Sequence, residues 1–166
     1  MKLKSLIPLL LLALIACEGD VIDPALRGRP IELSAEIAGM RTRVTNSTWE
    51  KGDAIGVYMI PSGGSLSASV LRDNVKYSTT GNSSFTPANE KEQIIFPFDG
   101  SDVDFIGYHP YRDNISNHSY PVNVSNQSSQ SQIDLLYSNN TQGLNDKNPH
   151  VGMQFTHQLT KVVLNI

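Results

Sequence analysis

Apolar and polar residues alternate strictly over residues 31–37. This period of two is typical of a β-strand with one face in the core and the other in water. The apolar positions are Ile31, Leu33, Ala35 and Ile37. Residues 54–60 are continuously apolar, and their β-branched and aromatic side chains favour a buried strand. Residues 151–155 alternate again, so the pattern predicts a strand in each of these three segments.

The remaining pattern also favours strands. Shorter segments predict four more strands, at residues 74–78, 93–98, 103–108 and 161–166. A hairpin-like turn at 99–102 would join the strand at 93–98 to the strand at 103–108. Tyr120, Val122 and Val124 alternate again, which favours another short strand, whereas 125–132 and 139–149 are predicted as polar loops. Because no window of 11 or more residues has a helical period, we expect an all-β fold, specifically a β-sandwich with long loops.

The amino terminus has the pattern of a secretory signal. Two lysines precede an apolar run over residues 6–16 that is far shorter than the roughly 20 residues of a membrane-spanning helix. Ala16 precedes Cys17, and this pair resembles the lipobox of bacterial lipoproteins, in which the cysteine thiol carries the lipid. The alternative is an ordinary signal peptide with an incidental cysteine. We expect a signal peptide at 1–16, a flexible tether at 17–30 and one domain at 31–166.

Charge and cysteine content narrow the function. The 166 residues include 13 basic and 16 acidic side chains, and loss of Lys2 and Lys4 with the signal leaves a balance of −5. A mildly acidic chain without basic clusters argues against nucleic acid as a partner. Cys17 is the single cysteine, so no disulfide framework is available and stability must come from the core.

Residues that could carry chemistry are scattered. The four histidines lack the spacing of a metal site, and the Asp99–Asp104 segment lacks the glycine and distal glutamate of an EF-hand, so a solvated turn is expected there. The sequence has neither a Gly-x-Ser-x-Gly elbow nor a glycine-rich phosphate loop after a strand. We therefore expect no catalytic residues, no metal and no cofactor, and the chain is not expected to be an enzyme.

Four segments together resemble the amino-terminal domain of fimbrillin-family (Mfa-like) lipoproteins of the Bacteroidales. They are Trp49–Met59; Phe96–Gly100 with Val103–Tyr111; Gln127, Gln130 and Asp134–Ser138; and Phe155–Val162. The resemblance runs from about Ile31 to the end of the sequence, and the lipobox is consistent with it. It implies a transthyretin-like β-sandwich.

The resemblance also implies a function. Fimbrillins are exported as lipoproteins and polymerise into type V pili by strand exchange, after a protease cuts behind an arginine that follows the first strand. In this chain the cut would follow Arg43 or, second, Arg41. The removable first strand would be the 31–37 segment, whose apolar residues fill pockets that a strand of the next subunit would take over.

The implied partners and location follow from the same resemblance. We expect other fimbrial subunits as partners and a lipid anchor in the outer membrane, with the protein surface-exposed or, if processed, part of a fimbrium. The alternative is a surface-anchored module that binds a glycan or a host receptor through loops 61–69, 112–120 and 139–149. The sequence stops inside an apolar pattern, so we expect it to be the front part of a longer protein, truncated before a second domain. The resemblance implies that this carboxy-terminal domain supplies the donor strand. Without it, the given sequence would be a fragment, a truncated product, or an anchor or tip subunit that keeps its lipid.

Overall fold

In a computed structural model, residues 28–38, 48–126, 128 and 133–159 are described. They contain seven β-strands, and Glu90–Glu92 forms a short 3₁₀ helix. The strands are β1 (Glu32–Ile37), β2 (Lys51–Pro61), β3 (Arg72–Thr80), β4 (Ser84–Pro87), β5 (Val103–His109), β6 (Leu136–Leu144) and β7 (His150–His157). The expected all-β class is confirmed.

The strands follow one another around a closed sheet in the order β1-β4-β3-β2-β5-β6-β7. Every neighbouring pair is antiparallel except β1 and β7, which run parallel and close the circuit. Two of the pairings are narrow, since β1–β4 and β6–β7 each match at two positions. The hydrogen-bond pairing joins all seven strands in one sheet, whereas a sandwich is described as two packed sheets. The sandwich arrangement therefore stays a prediction.

The core lies inside this closed sheet and is filled by alternate side chains of the strands. Its largest fully buried residues include Phe105 and Phe155, from β5 and β7. Trp49, just before β2, packs edge-on against Phe85 and Phe155, with ring centroids 5.1 and 5.5 Å apart. Burial of about 25 cal/mol per Å² of apolar surface makes this cluster the main source of stability in a domain without a disulfide.

The predicted strand at 93–98 and its hairpin with the following strand are wrong. The segment forms one isolated bridge, between Ile95 and Pro30, and β5 pairs with β2 and β6 instead. Ile94 and Phe96 are nevertheless almost fully buried. These apolar residues fill one end of the core. The segment therefore has the apolar composition of a strand, although it forms no extended ladder with another strand.

Three further expectations need correction. The sequence predicts a loop at 139–149, but β6 continues into this segment and ends at Leu144. A polar residue such as Thr141 can be buried in the strand because its hydroxyl donates a hydrogen bond to the Gly152 carbonyl. Residues 120–124 form no strand, and the side chains of Val122 and Val124 are exposed. β4 was not predicted, because its four residues contain a single large apolar side chain, Phe85. The predicted strand at 161–166 lies outside the described residues.

Candidate functional site

β1 occupies a slot between two strands that lie far from it in sequence. On one side it pairs parallel with β7 over six positions, from Glu32–His150 to Ile37–Phe155. On the other side it pairs with β4 at Leu33–Phe85 and Ser34–Ser84. β7 is matched at two positions with its other neighbour, β6. β1 therefore supplies most of the ladder of β7, and without it the edges of both β7 and β4 would be unpaired.

The inner face of β1 is apolar and deeply buried. Leu33 and Ala35 are 4% and 0% exposed, and the partly buried Ile37 packs against the same core. Ile31, immediately before β1, continues this face and is 5% exposed. The outer face carries the exposed Glu32 and Glu36. Full burial of a large aliphatic side chain contributes roughly 1.5–3 kcal/mol, so an empty slot would destabilise the domain strongly.

The residues before β1 extend the same contact. The amide of Ile31 donates to the carbonyl of Ile94 (3.1 Å), and the amide of Phe96 donates to the carbonyl of Arg29 (3.1 Å). The segment from Arg29 to Ile37 therefore lies in one continuous groove, formed by 94–96 at one end and by β4 and β7 along its length.

Trp49 closes the groove from the core side. Its indole N–H donates to the backbone carbonyl of Ala35 at 2.8 Å, and its ring contacts one aromatic residue on each strand that flanks β1. Trp49 is 7% exposed, so both groups of this hydrogen bond are shielded from water. Loss of β1 would leave a buried indole N–H without its partner.

A second feature lies on the outer face of the sheet. Tyr58 of β2 and Tyr108 of β5 point away from the core and are still 3% and 6% exposed, because the segment after β5 covers them. His118 packs edge-on against Tyr58, with centroids 5.4 Å apart, and Tyr120 packs against Tyr108 at 5.5 Å. Between the sheet and this segment is a cavity of about 310 Å³, which we name the aromatic pocket.

Two of the three loops proposed for ligand binding contribute to the aromatic pocket. Leu66 comes from loop 61–69, and Ile115 with His118 and Tyr120 comes from loop 112–120. The third, 139–149, does not line the pocket. Burial, together with the nearby charge of Asp73, raises the pKa of Tyr58 to about 12, so this wall of the pocket stays neutral through the physiological range.

Asp104 ties together the turns at one end of the sheet. Its carboxylate accepts hydrogen bonds from the Ser62 hydroxyl (2.9 Å) and from the amides of Gly63 and Gly143 (both 2.8 Å). Burial by itself would raise the pKa of Asp104, but these three donors outweigh burial and hold the pKa below its ordinary value. The expected solvated turn is wrong for this residue, which is 7% exposed and serves as a structural clamp.

The histidines have separate partners. Nδ1 of His157 lies 2.8 Å from Asp134, Nε2 of His150 lies 3.2 Å from the Ser34 hydroxyl, and Nδ1 of His109 donates to the Ala54 carbonyl (2.9 Å). His118 lies 3.7 Å from Asp73. Across the described ranges, no three His, Cys, Asp or Glu side chains are grouped so as to hold a metal ion.

Several predicted site residues lie outside the part of the chain that the structure describes. These are Cys17, Arg41 and Arg43. In sequence, the two arginines fall between Ala38, which follows β1, and Thr48, which precedes Trp49. Among the described residues, no helix has the length and hydropathy needed to cross a membrane.

Comparison with known proteins gives consistent matches. Residues 42–166 match the fimbrillin-like family, in a region that begins after β1. A Bacteroides uniformis protein that bears the name fimbrium subunit Fim1C is 37% identical over 128 residues. That alignment covers 76% of this chain and 42% of the relative, so this chain spans less than half of the relative's length.

Solved structures match over a similar region. The crystal structure of a Bacteroides uniformis protein described as a cell adhesion protein is 37% identical, with a TM-score of 0.62, and the match covers 78% of this chain and 47% of that one. A cell adhesion protein and a fimbrial protein from Bacteroides ovatus share 21% and 22% identity, with TM-scores of 0.57 and 0.53. Each match covers 78% of this chain, and they cover 52% and 29% of those chains. At this identity they support the fold alone.

Proposed function

Since the chain belongs to the fimbrillin-like family, we propose that it is a structural subunit or accessory component of a surface fimbrium, with a role in adhesion, and that it assembles by strand exchange at the β1 position. The names of its relatives support the fimbrial and adhesion role. Membership in a structural family also favours this role over catalysis.

The placement of β1 is the observation that carries strand exchange. β1 is the first described strand, yet its partners are β4 and the last described strand, β7. A single break between Ala38 and Thr48 would separate it from β2 without interrupting any of the seven described strands. An incoming strand could then use the same unpaired groups of β4 and β7, as in other cases of β-augmentation.

The slot sets a requirement for the incoming strand. Large apolar side chains would occupy the positions of Ile31, Leu33 and Ile37, and a small one that of the fully buried Ala35. Residues between them would face solvent, as Glu32 and Glu36 do. An alternating segment with a small third apolar residue therefore fits the groove in the same register.

Export and anchoring complete the proposal. A lipid on Cys17 would hold the new subunit at the outer membrane, and cleavage after Arg43, or after Arg41, would separate the domain from both the lipid and β1. Release and activation would then occur in one step. A subunit that is not cleaved would remain an anchored accessory component. Loss of lipid labelling in a Cys17→Ser variant would test the anchor.

Limited proteolysis tests the processing step. We would treat the mature Cys17→Ser chain with an arginine-specific protease and follow the fragments over time by mass spectrometry. Arg112, exposed in the segment after β5, serves as the internal reference. We expect cleavage at Arg41 or Arg43 to precede cleavage at Arg112, while the remaining domain stays folded.

Two variants assign the cut. Arg43→Ala should abolish the product that ends at residue 43, and Arg41→Ala should leave it unchanged. If both sites resist the protease while Arg112 is cleaved, arginine-specific processing is wrong for this chain.

A further inference from the structure

The aromatic pocket has the construction of a ligand site, and we infer that it binds one neutral pyranose residue of a glycan. The inference depends on the pocket alone and is independent of strand exchange. The cavity lies on the outer face of β2 and β5, away from the groove of β1. Its volume of about 310 Å³ is at the lower end of the range for small-ligand sites, roughly 300–1,000 Å³.

The lining indicates a neutral ligand with an apolar surface. Among the described residues, four tyrosines and several aliphatic side chains form the walls, and none of the lining residues described is Lys, Arg, Asp or Glu. The CH face of a pyranose ring can pack on such aromatic rings, whereas a charged ligand would lose hydration without gaining a counter-ion.

The polar groups at the pocket suit hydroxyl groups. Tyrosine hydroxyls can both donate and accept hydrogen bonds, as sugar hydroxyls can. The Gln158 side-chain oxygen can accept, while its Nε2 already donates to Thr156. The hydroxyl of Tyr120 is buried and has no hydrogen-bond partner among the described residues. A buried hydroxyl without a partner is costly. Rotation of the Tyr120 O–H bond, with the ring held in place, would let this hydroxyl donate to a bound sugar.

Part of the pocket is held in place before any ligand binds. The Tyr108 hydroxyl donates to the Asn74 side-chain oxygen (2.6 Å) and also lies 3.1 Å from the Arg112 carbonyl. The Arg112 guanidinium stacks over the Tyr120 ring, 4.9 Å from its centroid. Because these contacts fix two of the rings, little conformational entropy would be lost on binding.

Ligand-observed NMR with the mature Cys17→Ser chain tests the inference. The probes are the methyl pyranosides of glucose, galactose, mannose, fucose and N-acetylglucosamine, with 4-methylcyclohexanol as an apolar probe of similar size. We expect saturable binding of at least one pyranoside. A Tyr120→Ala variant should weaken that binding at least tenfold.

Tyr111→Ala is the matched control. Tyr111 is a partly exposed aromatic residue that contacts Lys76 and does not line the aromatic pocket. This variant should bind the sugar as the unmodified chain does. An Ile106→Trp variant, which fills the pocket from its floor, should also abolish binding while its folding is checked by circular dichroism. Three results would each overturn the inference: no binding of any pyranoside, binding that survives Tyr120→Ala, or binding of 4-methylcyclohexanol alone.

Discussion

The indole N–H of Trp49 donates a 2.8 Å hydrogen bond to the backbone carbonyl of Ala35. This contact joins the middle of β1 to the residues that lead into β2, across the segment in which a processing cut is proposed. The Trp49 ring also touches Phe85 and Phe155, one on each neighbour of β1. The surroundings of the Trp49 indole therefore depend on whether β1 occupies the slot, and its fluorescence should change when β1 leaves.

Replacement of Trp49 by phenylalanine should lower the free energy of unfolding by about 2 kcal/mol. The variant keeps an aromatic ring in the core but leaves the Ala35 carbonyl buried without its donor. Urea unfolding followed by circular dichroism measures the change. Phe98→Ala is the control, since Phe98 is 71% exposed and its loss should change stability by less than about 0.5 kcal/mol. Equal effects of both substitutions would contradict a role for the hydrogen bond.

An Ala35→Leu substitution should destabilise the domain by about 1–3 kcal/mol, because the fully buried Ala35 position has no room for a larger side chain. Glu36→Leu adds a leucine to the exposed face of the same strand and should have little effect. Thermal unfolding of both variants compares the two positions. A stable Ala35→Leu variant would show that the slot does not select a small residue there.

Asp104→Asn should lower stability at pH 7 by about 2–3 kcal/mol, since the amide nitrogen that replaces one carboxylate oxygen is a donor and cannot accept from the group that faces it, and the negative charge is lost. The pKa of Asp104 is lowered in the folded state, so its contribution is fully present above the ordinary value of 3.8. It is lost as pH falls below that value and through the folded-state pKa.

Urea unfolding at pH 7 and at pH 3 checks this sign. The difference between the unmodified chain and Asp104→Asn should be large at pH 7 and smaller at pH 3. Glu90→Gln, a change at an exposed carboxylate, should give no such difference. A difference that is constant with pH would mean that the charge of Asp104 does not stabilise the fold.

The sequence predicts best those strands whose residues follow a regular burial pattern. The alternation over 31–37 and 151–155 and the apolar run at 54–60 each correspond to an observed strand, β1, β7 and β2. Here local pattern and tertiary environment agree. In the second half of β6 they do not, because the polar residues that suggested a loop are satisfied by neighbours distant in sequence, such as Gly152 for Thr141.

The two candidate sites also differ in how much of each the sequence predicts. The apolar face of β1 could be recognised from its period, but not its parallel pairing with β7, since residues more than 100 positions apart form that ladder. The aromatic pocket was also beyond prediction. Tyr58 and Tyr108 meet His118 and Tyr120 only because the segment after β5 folds back over the outer face of the sheet.

Exchange of β1 for an added peptide tests the central claim most directly. The mature Cys17→Ser chain, cut between Ala38 and Thr48, would be incubated with isotope-labelled peptides that span residues 29–38 and examined by native mass spectrometry. Three peptides are compared: the native sequence, Glu36→Gln on the exposed face, and Leu33→Glu on the buried face. Trp49 fluorescence would follow refilling of the slot. The account predicts that the native and Glu36→Gln peptides replace β1 and the Leu33→Glu peptide does not. Retention of the original β1 against excess native peptide, or equal uptake of all three peptides, would contradict it.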